Sequence, residues 1–194
     1  FKVDWALDGP IPWADPACAR AATLHVGGSE AALVRSERAP WAGVLDDEPY
    51  LIVAQPGAFD PTRAPPGRST AWAYCHVPAG SEADRTEVVE RQVERFAPGF
   101  RDHILARRSA GPRELAAYNP SYIGGDVNGG SADLDQLFTR PVARLDPYAT
   151  PNPRIFLCSA STPPGGGVHG MGGWYAAQSA LGRRLRAPVA EALG

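Results

Sequence analysis

The chain has 194 residues, enough for one domain with a sizeable core or for two small ones. Hydrophobic residues make up 44% and charged residues 21%, which excludes a disordered or fibrous protein. The formal charge of −2 gives no reason to expect nucleic acid or an anionic membrane as a partner. No apolar run approaches the roughly 20 residues that a membrane-spanning helix needs.

Alternation of residue character predicts the strands of the first half. The first strand starts at Phe1, which suggests a chain cut out of something longer. In the fourth strand, small residues occupy one face and aromatic ones the other, as expected of a sheet packed closely on one side. The strand candidates are residues 1–7, 22–26, 50–54 and 68–77.

Apolar residues at spacings of three and four predict the helices. Ser29 is placed to cap the first helix, and Pro98 with Gly99 ends the second. A short strand is expected at 104–105, and turn signals fill residues 119–130. The helix candidates are residues 30–38, 82–96 and 112–118. The fold class predicted is α+β, with an antiparallel or mixed sheet and flanking helices.

The chemistry-bearing segment lies near the end of the chain. Residues 155–158 are all apolar and predict a strand buried on both faces. A loop of Ser, Thr, Pro and Gly follows, and a helix pattern begins at Met171. Strand, Gly-rich loop and helix N-terminus together predict a cradle for an anion or a cofactor, because glycine permits close approach and first-turn N–H groups donate.

The glycines of this loop also satisfy the G-x-G-x-x-G pattern, at Gly165, Gly167 and Gly170. We reject an independent dinucleotide-binding domain here, because the loop is too long for the immediate strand-to-helix turn of that fingerprint. A second parallel strand with a ribose-binding acid also does not follow.

The stretch LCSASTPPGGGVHGMGGWYAA, residues 157–177, resembles the C-terminal flavin-contacting segment of phytoene-desaturase-like FAD-dependent oxidoreductases, within the amine-oxidase-like flavoproteins. The stretches ALDGPIPW (6–13), FAPGFRDHIL (96–105) and YNPSYIGGDVNGG (118–130) are similar to the phytoene-dehydrogenase-related branch. The sequence departs from carotenoid desaturases at Pro163 and His169, beside the position expected for the isoalloxazine ring, and this argues against a carotenoid substrate.

This resemblance implies a C-terminal portion of a FAD-dependent enzyme that transfers a hydride from an apolar or amine-bearing substrate to flavin. It implies a substrate-binding portion at 1–150 and, at 151–194, a segment that completes the FAD-binding domain. No strand–GxGxxG–helix–acid unit precedes residue 160, so we expect the chain alone to retain no FAD and to be inactive. The implied cofactor-binding residues are Ser159, Ala160, Pro164, Gly165, Gly166, Gly167, Val168, His169, Gly170 and Met171.

The remaining expectations concern partners. A small-molecule substrate pocket is predicted from Trp72, Tyr74, Tyr122 and Asn128, although such aromatic residues are more often core. The dinucleotide-binding region would be a further partner, and exposed apolar residues around the loop predict self-association. The wide spacing of Cys18, Cys75 and Cys158 indicates no disulfide framework, so the expected location is cytoplasmic.

Two alternatives stay open at this point. His169 either hydrogen-bonds the flavin edge and takes part in proton transfer, or is held only by backbone groups at the start of the helix. His25, His76 and His103 have no metal-ligand spacing with one another or with any cysteine, and no metal is expected. The other interpretation of the whole chain is a stand-alone, non-enzymatic ligand-binding or interaction domain of the same architecture.

Overall fold

A computed structural model describes residues 1–131 and 133–182. It confirms the α+β class, with five strands and five α-helices in this part of the chain. The strands are β1 (Lys2–Leu7), β2 (Thr23–Val26), β3 (Leu51–Ala54), β4 (Ser69–Tyr74) and β5 (Ile104–Ala110). The helices are α1 (Glu30–Arg38), α2 (Thr86–Phe96), α3 (Pro112–Tyr118), α4 (Gln136–Thr139) and α5 (Met171–Ala180).

The strands form one sheet in the order β2-β3-β4-β1-β5, and every pairing is antiparallel. The first strand is central: Val3 lies opposite Ala73 of β4 on one side and Ser109 of β5 on the other. Residues opposite each other share a face, so the alternation predicted for β1 and β4 directs Val3, Trp5 and Ala73 to the buried face. All three are buried.

One face of the sheet carries the core. The small residues of β4 lie on it, as predicted, and α2 packs there through Val89 and Val93. The Trp5 and Phe100 rings meet edge to face with their centroids 5.1 Å apart. The buried cluster comprises Val3, Trp5, Leu7, Ile11, Val26, Leu51, Val53, Ala71, Ala73, Cys75, Val89, Val93, Ala97 and Phe100.

One buried carboxylate links α2 to two strands. Glu90 accepts a hydrogen bond from Trp5 Nε1 at 3.0 Å and pairs with Arg107 Nε at 2.6 Å. Buried charges are tolerated when they are paired and hydrogen-bonded. Glu90 therefore ties the central strand β1, the edge strand β5 and helix α2 together on the core side.

Three predicted bounds are corrected. Helix α2 starts at Thr86, not at 82, because the Asp84 carboxylate accepts the Thr86 N–H at 2.8 Å and holds an Asx-type turn before the helix. Strand β5 runs on to Ala110, because β1 pairs with its polar half as well. The run 155–158 forms no buried strand: it makes one bridge, Ala149 with Phe156, and Ile155 and Leu157 are exposed. A single bridge brings no layer of side chains onto either face of this segment, so its apolar residues are not buried.

The chain divides into two compact units, Phe1–Asn119 and Pro120–Gly194. Unit 1 holds the sheet and α1 to α3, and unit 2 holds α4, α5 and the loops between them. This boundary lies before the one predicted at 150/151, because Arg140 and Tyr148 hydrogen-bond to main-chain carbonyls of residues 160–163. The functional division at 150/151 stays a prediction, and residues 183–194 of its second part lie outside the described residues.

No helix in the described ranges has the length and apolar character needed to cross a membrane. The three cysteines are free thiols: Cys75 is buried, Cys18 half-buried and Cys158 exposed.

Candidate functional site

The Gly-rich loop, residues 163–170, leads from the Ser159–Thr162 turn into α5. Gly165, Gly167 and Gly170 have φ values of +104°, +152° and +68°. Side chains with a Cβ rarely adopt these values, so the glycines are required by the backbone path. Val168, between them, is fully exposed. The loop is therefore exposed at most of its glycines and at Val168, and its role as a cofactor cradle stays a prediction.

The turn beneath the loop is closed by a buried threonine. Thr162 is completely buried, and its Oγ1 donates to the Ser159 carbonyl at 2.8 Å while accepting the Ser159 N–H at 3.3 Å. Gly165 N–H donates to the Thr162 carbonyl at 2.9 Å. A Cβ on Gly172 of α5 would lie 3.4 Å from the Ser159 carbonyl oxygen. Turn, loop and helix start are thus packed as one piece.

A second loop packs against this turn. In this Asp126 loop, residues 126–130, the Asp126 carboxylate accepts the N–H groups of Asn128 at 2.8 Å and Gly130 at 2.7 Å. A Cβ on Gly129 would lie 2.5 Å from Ser161 Oγ, and a Cβ on Gly166 would lie 3.0 Å from Asn128 Oδ1. The two glycines therefore allow the loops to touch.

Arg140 joins the two loops and was missed by the sequence analysis. Its guanidinium group, almost completely buried, donates to main-chain carbonyls of both: Asn128 and Ser131 on one side, Ala160 and Ser161 on the other. Main-chain acceptors leave no mark in a sequence. The one available signal was an arginine directly before a proline inside a turn-rich stretch.

Tyr148 supports the loop from another side. Its hydroxyl donates to the Pro163 carbonyl at 2.8 Å, and its ring stacks on Tyr175 of α5 with centroids 5.8 Å apart. Burial first, then Tyr175 and Asp146, raise the pKa of Tyr148 above its usual 10.0. The hydroxyl therefore stays a donor at neutral pH. Tyr148 thus connects the first residue of the loop, Pro163, to helix α5.

His169 lies at the start of α5. Its Nδ1 accepts the Met171 N–H at 3.0 Å, and its ring covers Gly167, where a Cβ would be 2.6 Å from His169 Cδ2. This is the backbone contact that one of the two interpretations of His169 expects. With Nδ1 as acceptor, Nε2 carries the proton of the neutral ring and is the atom that remains for a ligand.

The start of α5 suits the acceptor-rich edge of a flavin ring. First-turn N–H groups have no partner within a helix, and the N-cap residue Gly170 has no side chain to bind them; of these groups, the Met171 N–H already donates to His169 Nδ1. These groups supply donors and positive potential, while the flavin pyrimidine edge presents carbonyl oxygens and a ring nitrogen. Because the glycines also leave the main chain uncovered, the residues present fit FAD.

The four predicted pocket residues lie in two groups. Trp72 and Tyr74 stack on the outer face of the sheet in unit 1, with centroids 6.1 Å apart and Lys2 Nζ 5.5 Å from the Trp72 centroid. Both are half-buried, not core. In unit 2, Tyr122 is half-buried and exposed Asn128 faces Gly166. The structure thus brings Asn128 to the predicted cofactor residues and pairs Trp72 with Tyr74.

Comparison with known proteins adds a distant similarity. No family model matches the chain. It is 31% identical over 147 residues to the mouse pyridine nucleotide-disulfide oxidoreductase domain-containing protein 2, and 30% identical over 147 residues to the rat protein of the same name. Each match covers 70% of this chain and 25% of the relative. The chain therefore spans about a quarter of the length of the curated relatives it matches.

Metal binding has no support in the structure. Within residues 1–131 and 133–182, no group of three or more His, Cys, Asp or Glu side chains could hold a metal ion.

Proposed function

We propose that this chain is the C-terminal part of a FAD-dependent oxidoreductase, of the dehydrogenase or desaturase-like kind. The observation that carries the proposal is the exposed Gly-rich loop, which packs on the Ser159–Thr162 turn and leads into α5, where the N-cap residue Gly170 has no side chain. The similarity to proteins named for a pyridine nucleotide-disulfide oxidoreductase domain supports the oxidoreductase class. FAD, when bound, would supply the hydride acceptor for an apolar or amine-bearing substrate.

The chain's own residues would bind and orient the flavin ring. Main-chain N–H groups between Gly166 and Gly170 would donate to its polar edge, because those of Gly165 and Met171 already bond the Thr162 carbonyl and His169 Nδ1. The Ser159–Ala160 turn would support the loop. The positive end of α5 favours negative charge at that edge. His169 would offer Nε2–H as a further donor, because its Nδ1 is engaged by Met171. Exposed Val168 would help to exclude water from the ring.

The partners would come from outside the site. A dinucleotide-binding region of the same cytoplasmic protein would hold the rest of FAD, in keeping with relatives about four times longer than the match. Large exposed apolar residues in unit 2 would pack against that region or, in its absence, against a second copy. These residues are Ile123, Leu134, Leu145 and Val168. In unit 2, Tyr122 and Asn128 would face the substrate; the same role for Trp72 and Tyr74 of unit 1 stays a separate prediction from the sequence.

The test is the flavin content of the protein expressed at its full encoded length. We expect a yellow preparation with about one FAD per chain, reduced by an apolar or amine-bearing substrate but not by buffer alone. The 194-residue chain by itself should be colourless. A full-length protein that neither retains nor binds added FAD would contradict the proposal and favour the non-enzymatic binding domain.

A further inference from the structure

Arg140 is a buried cation with an unusual set of partners. It is 7% exposed, and none of the ion pairs between described residues includes it. The nearby carboxylate of Asp126 is occupied by the N–H groups of its own loop. Buried arginines are normally paired with an opposite charge. Here carbonyl dipoles satisfy the donors, and no carboxylate of residues 1–131 or 133–182 forms an ion pair with the guanidinium group.

The guanidinium group spans two separate segments of unit 2. Nη1 donates to the Ser131 carbonyl at 3.1 Å and Nη2 to the Asn128 carbonyl at 3.4 Å. On the other side, Nε donates to the Ser161 carbonyl at 3.3 Å, and Nη2 also donates to the Ala160 carbonyl. A planar guanidinium group has several N–H donors in a fixed arrangement, so it can donate to both segments at once. A lysine ammonium group cannot reproduce this arrangement.

The charge also lies close to the Gly-rich loop. A Cβ built on Gly165 would be 3.8 Å from both Nη1 and Nη2. The same two segments meet where Gly129 approaches Ser161. Arg140 thus controls both the separation of the two loops and the electrostatic potential next to the main chain of the candidate site.

We propose that Arg140 is the positioning residue of this site, an inference that rests on the proposed function. It holds the Asp126 loop against the Ser159–Thr162 turn, so that the Gly-rich loop keeps one conformation. Its buried charge favours the negative charge that the flavin ring gains on reduction, since preorganised positive groups stabilise developing negative charge.

Three variants separate these effects. Arg140→Lys keeps the charge and loses the fork, whereas Arg140→Gln loses both. Arg144→Gln is the matched control, because Arg144 belongs to the same unit, is exposed, and makes a single 3.3 Å bond to the Ala149 carbonyl. Peptides from β1 and β3 report whether the sheet of unit 1 remains folded in each variant.

The first measurement is amide hydrogen exchange on the 194-residue chain, which needs no flavin. In both Arg140 variants, residues 126–131 and 159–165 should exchange together at least about tenfold faster, the factor that a loss of about 1.4 kcal/mol produces. The Arg144 variant should exchange as the wild type does. Loops that keep wild-type rates in both Arg140 variants would overturn the positioning role.

The second measurement is FAD affinity and reduction potential at full encoded length. FAD should bind about tenfold more weakly to both Arg140 variants, and the potential should fall further for Gln than for Lys. A flavin-loaded wild type whose Arg140 variants keep wild-type affinity and potential overturns the role of Arg140 alone. A wild type that binds no FAD overturns the proposed function, and this inference falls with it.

Discussion

Different interactions stabilise the interior of each of the two units. Unit 1 buries a continuous apolar cluster between one face of its sheet and α2. In the described part of unit 2, the buried residues are Ala176, Thr162 and Arg140, and the two polar ones bond mainly to main-chain carbonyls. Apolar burial contributes free energy without fixing direction, whereas hydrogen bonds are directional.

This difference separates stability from site geometry. Substitutions in the core of unit 1 should lower the free energy of unfolding strongly and leave the Gly-rich loop unchanged. Substitutions in unit 2 should change the loop and any flavin bound to it, at small cost to the unfolding of unit 1. The following predictions test that separation, from the largest expected effect to the smallest.

The core of unit 1 should respond most. Phe100→Ala removes a completely buried ring that meets Trp5 edge to face, and should lower the free energy of unfolding by about 3–5 kcal/mol. Chemical denaturation monitored by tryptophan fluorescence measures this. Phe59→Ala, at a ring that is 65% exposed, is the control and should change little. A small effect of Phe100→Ala would show that unit 1 does not depend on its apolar core.

The Gly-rich loop should respond differently. Gly167→Val imposes a β-branched residue at φ +152° with its Cβ 2.6 Å from His169 Cδ2, so either the His169 ring moves away or the loop changes conformation, and the strained backbone adds about 1–3 kcal/mol. We expect loss of FAD from the full-length protein, with the denaturation of unit 1 unchanged.

The control for Gly167→Val is Gly173→Ala, within α5. A Cβ there meets nothing within 4 Å, so this variant should keep FAD and gain about 0.5–1 kcal/mol of helix stability. Wild-type flavin content in Gly167→Val would show that the loop is an ordinary connector.

His169 should have a milder effect. His169→Ala removes the acceptor of the Met171 N–H, which costs about 1 kcal/mol as for other lost caps, and removes a donor beside the ring. FAD should stay bound while its reduction potential falls. His169→Asn, which can still accept from Met171, should restore the helix start. An unchanged potential in His169→Ala would leave this histidine with a capping role only.

The smallest effect belongs to an exposed turn in unit 1. Hydrogen bonds from the Thr62 hydroxyl first, then from Arg63 and the Thr62 N–H, lower the pKa of Asp60 from 3.8 to about 2. A carboxyl with a depressed folded pKa stabilises the fold above pH 3.8 and loses that stabilisation as the pH falls towards 2.

Carboxyl NMR of Asp60 tests this pH dependence directly. The wild type should titrate near 2, and Thr62→Val should titrate closer to 3.8, because the leading hydrogen bond is gone. In the Asp60→Asn variant, the free energy of unfolding should fall less between pH 3.8 and pH 2 than it does in the wild type. A wild-type Asp60 that titrates near 4 would contradict the turn geometry.

The same contrast explains how much could be predicted from the sequence. In unit 1 the side chains that build the core alternate along β1 and β4, so the strands and their buried face are visible as a pattern. In unit 2 the exposed loop could be predicted from its glycines, because a backbone with positive φ favours glycine. The roles of Arg140 and Tyr148 were not, since their acceptors are main-chain oxygens that every residue carries.

The wrong strand at 155–158 has a related cause. A continuous apolar run indicates burial but does not specify what covers it. In the described structure Phe156 finds one bridge partner, and Ile155 and Leu157 stay exposed. The prediction that these residues are buried on both faces was wrong, because the described residues do not cover Ile155 and Leu157.

The central place of β1 has a consequence for how the protein folds. Its two neighbours come from much later in the chain, since Val3 pairs with Ala73 and with Ser109. Contacts between residues so far apart in sequence raise the contact order and slow folding, because the loop must close before the pairing is rewarded. During synthesis the apolar face of β1 therefore stays uncovered until the residues of α2 have left the ribosome, and one of its hydrogen-bonding edges stays unpaired until those of β5 have followed.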